Sequence, residues 1–321
     1  MREVLKTDNS EIEKIIDYLL ISSGKMLRPR MVYLTASLHP HDADLLRDMA
    51  VAIELIHLAS LVHDDVIDRS QMRRGRDSLN KLWGNQRSVL TGDYLFATAF
   101  NLINEHNCRK VMESVSTTIQ IMCSGEIKQL AMLFDTEISE ADYYEKSYRK
   151  TACLFASSCK VGALTANMST KEVSILEQFG LCLGYAYQII DDVLDFVSES
   201  SLLGKPAGND LLQGNITLPV IFAMQDKEKG SWIKHVIQSK TLSSETIPLL
   251  VKILLETGAI YKSIEVSHLF LKCGLKALDK FPMSPAIQEL REMSLFLMED
   301  YYKKLNCQGI HDRRPLSGNI H

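Results

Sequence analysis

Residues 51–68 read VAIELIHLASLVHDDVID, and residues 183–195 read LGYAYQIIDDVLD. In both stretches apolar residues recur at helical spacing, and both end in the same pattern, Asp-Asp-x-x-Asp. The residues between the aspartates are apolar in both copies, so each motif belongs to an amphipathic helix with one face against a core. The two stretches therefore predict two long helices, each with carboxylates near its C-terminal end.

The rest of the chain shows the same helical period. Segments with this period cover about 42–68, 88–105, 109–133, 139–167 and 170–197, with further helices up to about residue 304. No stretch alternates apolar and polar residues in the way that a half-buried strand does. We therefore predict an all-α fold, with a single domain over residues 1–304 and a mobile C-terminal tail over residues 305–321.

The composition is that of a globular protein and argues against several classes of function. The 321 residues include 36 Lys and Arg against 40 Asp and Glu, a net charge of −4. That balance gives no electrostatic case for binding nucleic acid or an anionic membrane. The sequence contains no apolar run long enough for a membrane span, no signal segment and no CxxC spacing among its seven cysteines. We expect a cytoplasmic protein with reduced thiols.

The carboxylates of each motif are spaced to bind a metal ion. Because four residues span about one helical turn, Asp64 and Asp68 share one face of their helix, as do Asp191 and Asp195. Their mutual repulsion and the negative end of the helix dipole disfavour this arrangement unless a cation compensates it. Mg²⁺ is the expected cation, since it takes oxygen ligands and shares carboxylates with substrate phosphates. One such motif is usually a solvated helix end, but two copies favour a function.

Basic and polar side chains that suit a phosphorylated substrate occur near both motifs. The basic residues are Lys25, Arg28, Arg73, Arg74, Lys150 and Lys205, with Thr151 beside Lys150. Guanidinium and ammonium groups are the usual ligands of diphosphate, although each residue taken alone is as easily a surface charge.

Two further side chains lie on the acidic faces. His57 precedes Asp64 by seven residues, which at 100° per residue returns it to within about 20° of the same helix face. A histidine on an apolar face can be a core residue or a ligand, and both interpretations stay open. Gln188 lies one turn before Asp191 and is also near the acidic face.

Taken together, these motifs resemble those of the all-trans polyprenyl diphosphate synthases of the polyprenyl synthetase family. The resemblance runs through GKMLRPR, IELIHLASLVHDDVIDRSQMRRG, GDYLFA, YRKTACLF, YQIIDDVLD and GKPAGNDLLQGNITLP. It implies an isoprenoid-synthase-type helical bundle around a central cavity. It also implies a catalytic domain that condenses an allylic diphosphate, such as farnesyl diphosphate, with isopentenyl diphosphate.

The resemblance implies a role for each candidate residue. Asp64 and Asp68 would bind two Mg²⁺ ions on the allylic diphosphate, and Asp191 would bind a third, with Asp195 acting through water. The residues that would bind isopentenyl diphosphate are Lys25, Arg28, His57 and Arg74. Arg73 would bind the allylic diphosphate, which would be steadied, with the cation formed from it, by Lys150, Thr151, Gln188 and Lys205.

The resemblance also bears on product length and on partners. Bulky aromatic residues at the fourth and fifth positions before the first aspartate close the product tunnel early in this family. Here those positions hold Ser60 and Ala59, which favours long products. Such small residues can also simply let helices approach closely. The expected assembly is a homodimer or a heterodimer with a small non-catalytic subunit, and an apolar product implies transient proximity to a membrane.

Two positions differ from the family pattern. Ser23 stands where a second glycine usually precedes Gly24, and Asn215 stands where many members have a lysine.

Other functions fit the sequence less well. A short-chain prenyl diphosphate synthase remains an alternative. A class I terpene cyclase usually pairs one acidic motif with a metal motif of another type. A phosphohydrolase with spread His and Asp ligands, suggested by His63-Asp64, would leave the Asp64 and Asp68 spacing without a purpose. A non-enzymatic helical subunit would usually have lost one acidic motif.

Overall fold

The computed structural model describes residues 1–21, 24–197, 208–243 and 245–307, with residues 300–307 described as backbone only. Within these residues the regular structure is helical apart from one short hairpin, which confirms the all-α prediction. None of the helices in these ranges is both long and apolar enough to cross a bilayer. The predicted tail lies outside the described residues from position 308 onward.

The chain divides into two compact units. The first comprises Met1–Thr117 and Ser157–Glu177, and the second comprises Thr118–Ala156 and Gln178–His321. The first acidic motif belongs to the first unit and the second motif to the second unit. The single domain over residues 1–304 stays a prediction.

The N-terminal part of the first unit contains four helices and a hairpin. They are α1 (Ser10–Ile21), α2 (Leu27–Ala36), α3 (Ala43–Ile67), β1 (Met72–Arg73), β2 (Arg76–Asp77) and α4 (Leu79–Glu105). Three further helices have residues in both units: α5 (Arg109–Ala131), α7 (Cys153–Thr165) and α8 (Thr170–Val197).

Helix α3 supplies much of the core of the first unit. Its N-cap is Asp42, whose side chain accepts hydrogen bonds from the backbone N–H groups of Asp44 and Leu45. It packs against α2 and α4, and its residues Met49 and Ile53 are fully buried. The predicted helix over about 42–68 is therefore confirmed, and burial of its apolar face fixes the orientation of the acidic motif at its end.

Side chains cap the beginnings of several helices. Ser10 and Glu13 fit a capping box, but α1 is capped by Asn9, whose Oδ1 accepts from the N–H groups of Glu11 and Ile12. Pro29 lies inside the first turn of α2 and not at its first residue. The capping boxes that begin at Ser139 and Ser169 are both present.

The hairpin between α3 and α4 was not predicted. Its strands have two residues each, too short for alternation to be recognised in the sequence. Arg73 pairs with Arg76, and the two residues between them, Arg74 and Gly75, have φ values of 51° and 75°. Positive φ at both central residues is the requirement of a type I′ hairpin turn, which explains the glycine. The hairpin fixes the positions of Arg73 and Arg74 after the first acidic motif.

The second unit contains a π-helical turn and a further set of helices. They are α6 (Glu140–Ser147), a π-helical turn (Tyr148–Ala152), α9 (Asn209–Leu212), α10 (Leu218–Met224), α11 (Gly230–Gln238), α12 (Ile247–Glu256), α13 (Ala259–Leu278) and α14 (Pro285–Cys307). The residues of α10 are all buried, and the helix packs against α6, α11, α12 and α13. The further helices predicted up to about residue 304 are thus present in the described chain after residue 208.

Helix α13 holds the second half of α8 in place. The rings of Tyr185 and Phe270 stack with centroids 4.8 Å apart. Ser267 is fully buried and donates a hydrogen bond of 2.9 Å to the carbonyl of Ala186. These contacts lie one to two turns before the second acidic motif and fix the helix that carries it.

Candidate functional site

The first acidic motif lies at the C-terminal end of α3. Asp64 and Asp68 are partly exposed, and Asp68 is the C-cap of the helix, with its N–H donating to the carbonyl of Asp64 at 2.8 Å. Asp65 between them is buried. The two outer carboxylates can therefore reach a ligand in solvent, whereas the middle carboxylate needs a partner within the protein.

The partner of Asp65 is Arg73. The Nε and Nη2 atoms of Arg73 donate to Asp65 Oδ1 at 2.9 and 2.5 Å. This charge-assisted pair holds the guanidinium beside the acidic motif. Arg73 was predicted as a ligand of the allylic diphosphate, but its anchor Asp65 was missed. In the sequence, the Asp65–Arg73 pair was indicated only by a third aspartate on the inner side of the helix and by arginines shortly after the motif.

His57 of α3 and Arg28 of α2, both predicted as ligands of isopentenyl diphosphate, lie next to each other. Arg28 Nη1 lies 3.0 Å from His57 Nε2. Since arginine can only donate, Nε2 accepts and the ring proton is on Nδ1. Burial and the neighbouring guanidiniums of Arg28, Arg74 and Arg73 hold the pKa of His57 well below its ordinary value. The imidazole is therefore neutral at physiological pH.

Glu54 is a buried carboxylate that the sequence analysis did not single out. It is 3% exposed and precedes His57 by one helical turn. Burial raises the pKa of Glu54, and the positive charges of Arg28 and Arg74 oppose that rise. In the sequence, its position among the apolar residues of IELIH was the feature that could have indicated a buried carboxylate. The negative charge of Glu54 partly offsets the cluster of guanidiniums.

Arg74 lies against the backbone at Gly24. A Cβ atom at Gly24 would come within 2.6–2.9 Å of three atoms of the Arg74 guanidinium. The glycine thus allows Arg74 to approach the turn that carries Lys25, which is exposed. Ser23 lies outside the described residues. Two of the predicted ligands of isopentenyl diphosphate, Lys25 and Arg74, therefore belong to one local cluster.

A pocket in the first unit adjoins this cluster. Its charged lining consists of Arg73, Arg74 and Arg76 with the carboxylates of Asp65 and Asp77, and its apolar lining comes from α1, α3 and the first residue of α4. Guanidiniums beside aliphatic side chains suit a ligand with an anionic and an apolar part.

The second acidic motif ends α8 and shows the same division. Asp191 is exposed and Asp195 partly exposed, whereas Asp192 is buried. Tyr143 donates its hydroxyl to Asp192 Oδ2 at 2.6 Å, and Gln188 Nε2 donates to Oδ1 at 2.7 Å. The sequence analysis did not predict a role for Asp192 or Tyr143. Tyr143 is distant from Asp192 in the sequence, and helical periodicity does not identify the residue that a buried carboxylate contacts.

Gln188 links the motif to the π-helical turn. The hydroxyl of Thr151 donates to Gln188 Oε1 at 2.5 Å. The π-helical turn contains both Lys150 and Thr151, and such turns often occur at functional sites because they change the register of side chains within a helix. Lys150, Gln188 and Asp192 line a small pocket. Of the predicted residues in this part of the chain, only Lys205 lies outside the described residues.

The carboxylates of the second motif are crowded. Burial and then the charge of Asp210 raise the pKa of Asp192 to about 7 and that of Asp195 to about 8. The backbone N–H of Asp210 donates to Asp195 Oδ2 at 3.2 Å, which partly opposes the shift of Asp195. A divalent cation would favour the charged forms of these groups.

The donor atoms of both motifs fit Mg²⁺, which prefers oxygen. Among the residues that the structure describes, no three His, Cys, Asp or Glu side chains converge as a complete metal site. Mg²⁺ at phosphoryl sites is usually held by one or two carboxylates together with water and substrate phosphates. Asp64 with Asp68, and Asp191 with Asp195, could each supply such a partial set.

Comparison with known proteins gives consistent matches over most of the chain. A family model described as polyprenyl synthetase matches residues 9–254. The chain is 39% identical over 280 residues to heptaprenyl diphosphate synthase component 2 of Geobacillus stearothermophilus, covering 87% of each. It is 36% identical to the chloroplastic solanesyl diphosphate synthase 2 of Arabidopsis thaliana, covering 92% of this chain and 72% of that protein.

A solved structure agrees with these matches. The polyprenyl synthase of Caulobacter crescentus CB15, complexed with calcium and isoprenyl diphosphate, superposes with a TM-score of 0.87 at 32% identity. The superposition covers 92% of this chain and 91% of that one. The predicted isoprenoid-synthase-type helical fold is therefore confirmed.

The neutral state of His57 predicts a pH dependence of stability. The pKa of His57 is depressed in the folded state. The neutral ring therefore makes its full contribution to stability above the pKa of histidine in the unfolded chain, about 6.5, and this contribution is lost as the pH falls below that value. When the pH is lowered from about 7.5 to about 5.5, the unfolding free energy of the wild type should decrease. For the His57→Gln variant we expect this decrease to be smaller by about 1 kcal/mol. Urea unfolding at the two pH values measures this difference.

The matched control is His41→Gln, which changes an exposed histidine in the same unit. This variant should follow the wild type at both pH values. Equal pH dependence in the wild type and His57→Gln would contradict the neutral assignment.

Proposed function

The chain belongs to the polyprenyl synthetase family, and we propose that it extends an allylic diphosphate with successive isopentenyl diphosphates into a long all-trans polyprenyl diphosphate. The observation that carries this proposal is that each acidic motif has, within its own unit, cationic and polar side chains of the kinds that bind diphosphate. The heptaprenyl and solanesyl synthases among the relatives support a long product.

We assign Mg²⁺ as the cofactor, with three ions in the active site. Asp64 and Asp68 would hold two, and Asp191 would hold the third, with Asp195 acting through water. Bound Mg²⁺ would neutralise charge on the leaving diphosphate and so favour ionisation of the allylic C–O bond. The calcium in the Caulobacter crescentus complex supports the use of a divalent cation.

Separate groups of side chains would bind the two substrates. Arg73, positioned by Asp65, would bind the allylic diphosphate, together with Lys150, Thr151, Gln188 and Lys205. Lys25, Arg28, His57 and Arg74 would bind isopentenyl diphosphate. Because His57 Nε2 accepts from Arg28, the Nδ1–H is the donor that the imidazole offers to a phosphate oxygen.

The residues of the chain would then direct the condensation. The basic groups stabilise the departing diphosphate, the double bond of isopentenyl diphosphate attacks the allylic cation, and the departing diphosphate accepts the proton that is lost. The apolar surroundings must exclude water, which would otherwise quench the cation.

The assembly and role of the product are also proposals. The name component 2 of the Geobacillus stearothermophilus relative favours a small second subunit, and a homodimer is the alternative. The product would serve as a quinone side chain, such as that of menaquinone. The cytoplasmic location stays a prediction.

Of the two small residues proposed to set product length, Ser60 is the better candidate. Ala59 is completely buried in α3, so a larger side chain there would disturb the core. Ser60 is only partly buried, and its hydroxyl donates to the carbonyl of His57 at 2.9 Å. A bulky residue at position 60 could therefore project from the helix without overpacking it.

The decisive experiment incubates the full chain with Mg²⁺, farnesyl diphosphate and isopentenyl diphosphate, and sizes the products. We expect extension beyond C25. The Asp64→Ala variant should fold normally and lose at least about a hundredfold in turnover, because it loses a metal ligand.

The control is Asp93→Ala, since the Asp93 side chain is 60% exposed and belongs to the same unit. Near-normal turnover in Asp64→Ala would contradict the metal assignment. Consumption of farnesyl diphosphate without isopentenyl diphosphate would identify a cyclase instead. If product forms only after a small second subunit is added, the active assembly is the heterodimer.

Ser60→Phe is expected to shorten the products by several isoprene units. The phenyl ring, one helical turn before Asp64, would block the tunnel proposed for the growing polyprenyl chain. Ser60→Ala should leave their length unchanged, and Ala59→Phe should lower the unfolding free energy by about 1–3 kcal/mol. Chromatographic sizing and urea unfolding make these measurements. Wild-type product length from Ser60→Phe would refute the role of this position.

Gly24→Ala is expected to raise the KM for isopentenyl diphosphate several-fold, because the added methyl group displaces the Arg74 guanidinium. The KM for farnesyl diphosphate should not change. In an Arg74→Ala background, Gly24→Ala should have little further effect, since the group it displaces is already absent. Independent, additive effects of the two substitutions would show that Gly24 does not act through Arg74.

A further inference from the structure

Lys146 is a half-buried lysine to which neither the sequence motifs nor the proposed mechanism gives a role. It lies in α6, four residues before Lys150, and lines the same small pocket as Lys150 and Gln188. The ammonium of Lys146 is therefore placed beside residues proposed to bind the allylic diphosphate.

The ammonium of Lys146 is held by neutral acceptors. Its Nζ donates to Asn215 Oδ1 at 2.8 Å and to the carbonyl oxygen of Ile216 at 2.6 Å. It also lies 5.5 Å from the centre of the Tyr143 ring. An ammonium has three N–H donors, and the described residues give no acceptor for the third.

The charges around Lys146 favour an anion. Burial lowers the pKa of Lys146 to about 8, Lys150 adds to this effect, and Asp192 and Asp210 oppose it. Among the described contacts, no carboxylate is hydrogen-bonded to the ammonium. A positive group that is half-buried, fixed in position and not hydrogen-bonded to a carboxylate is suited to bind a phosphate oxygen.

The position of the Lys146 ammonium explains why residue 215 differs from the family pattern. Asn215 stands where many members of the family have a lysine, and in this chain its amide oxygen accepts from Lys146. Asn215 thus positions a positive charge that comes from another helix. A lysine at 215 together with Lys146 would bring two ammonium groups into close contact.

We propose that Lys146 is a further ligand of the allylic diphosphate, and that it supplies from α6 the ammonium absent at position 215. This inference rests on the proposed function, because it assigns Lys146 to the allylic substrate and not to isopentenyl diphosphate. It makes Lys146 and Asn215 an exchangeable pair, in which the charge can come from either position but not from both.

The test combines Lys146→Met with a transfer of the charge to position 215. Calorimetry with Mg²⁺ and farnesyl thiolodiphosphate, an analogue that does not ionise readily, measures binding without turnover. We expect Lys146→Met to weaken binding about tenfold or more, since it removes a charge-assisted hydrogen bond. The double variant Lys146→Met/Asn215→Lys should recover most of this loss.

Steady-state kinetics provides the second measurement. Lys146→Met should raise the KM for farnesyl diphosphate and leave the KM for isopentenyl diphosphate within about twofold. Lys234→Met is the control, because Lys234 forms a partly exposed ion pair with Glu137 in the same unit. It should match the wild type in both measurements, and thermal unfolding verifies that every variant is folded.

Three outcomes would overturn the inference: wild-type binding by folded Lys146→Met, equal losses for both substrates, or failure of Asn215→Lys to restore binding. The calorimetric result is separate from the proposed function. A wild-type chain that binds the analogue but makes no polyprenyl product would refute the function, while the comparison of the variants would still decide the role of Lys146.

Discussion

Repulsion between carboxylates at the end of a helix is the constraint that both acidic motifs share. Each acidic motif divides its aspartates in the same way. The middle carboxylate is buried and bound by the protein, Asp65 by Arg73 and Asp192 by Tyr143 and Gln188. The outer carboxylates remain accessible. The same five residues therefore provide one structural anchor and a pair of possible metal ligands, and a bound cation would offset the repulsion between that pair.

The positive groups are arranged on a related principle. Arg73 is held by Asp65, Arg28 by the neutral ring of His57, and Lys146 by Asn215. Protein contacts thus hold each cation in place before substrate binds. Such preorganisation lowers the entropic cost of holding a diphosphate in position.

The sequence predicted the helical class, the bounds of α3 and the outer members of both motifs, because these follow from the period of the apolar residues. It missed Asp65, Asp192 and Lys146, since periodicity identifies a helix face but not the partner that meets it. Lys146 and Asn215 are 69 positions apart, and no local pattern joins them. The hairpin was missed because two residues in each strand are too few for alternation to be visible.

The difference at residue 215 shows how such a departure should be interpreted. By sequence alone, an asparagine in place of lysine suggests a lost contact. In the structure the ammonium of Lys146 is hydrogen-bonded to that asparagine, and Lys150 lies four residues further along the chain. Two ammonium groups in one small pocket repel each other, just as the aspartates of each motif do. A diphosphate with a bound divalent cation carries both kinds of charge, so within the second unit such a ligand would reduce both repulsions.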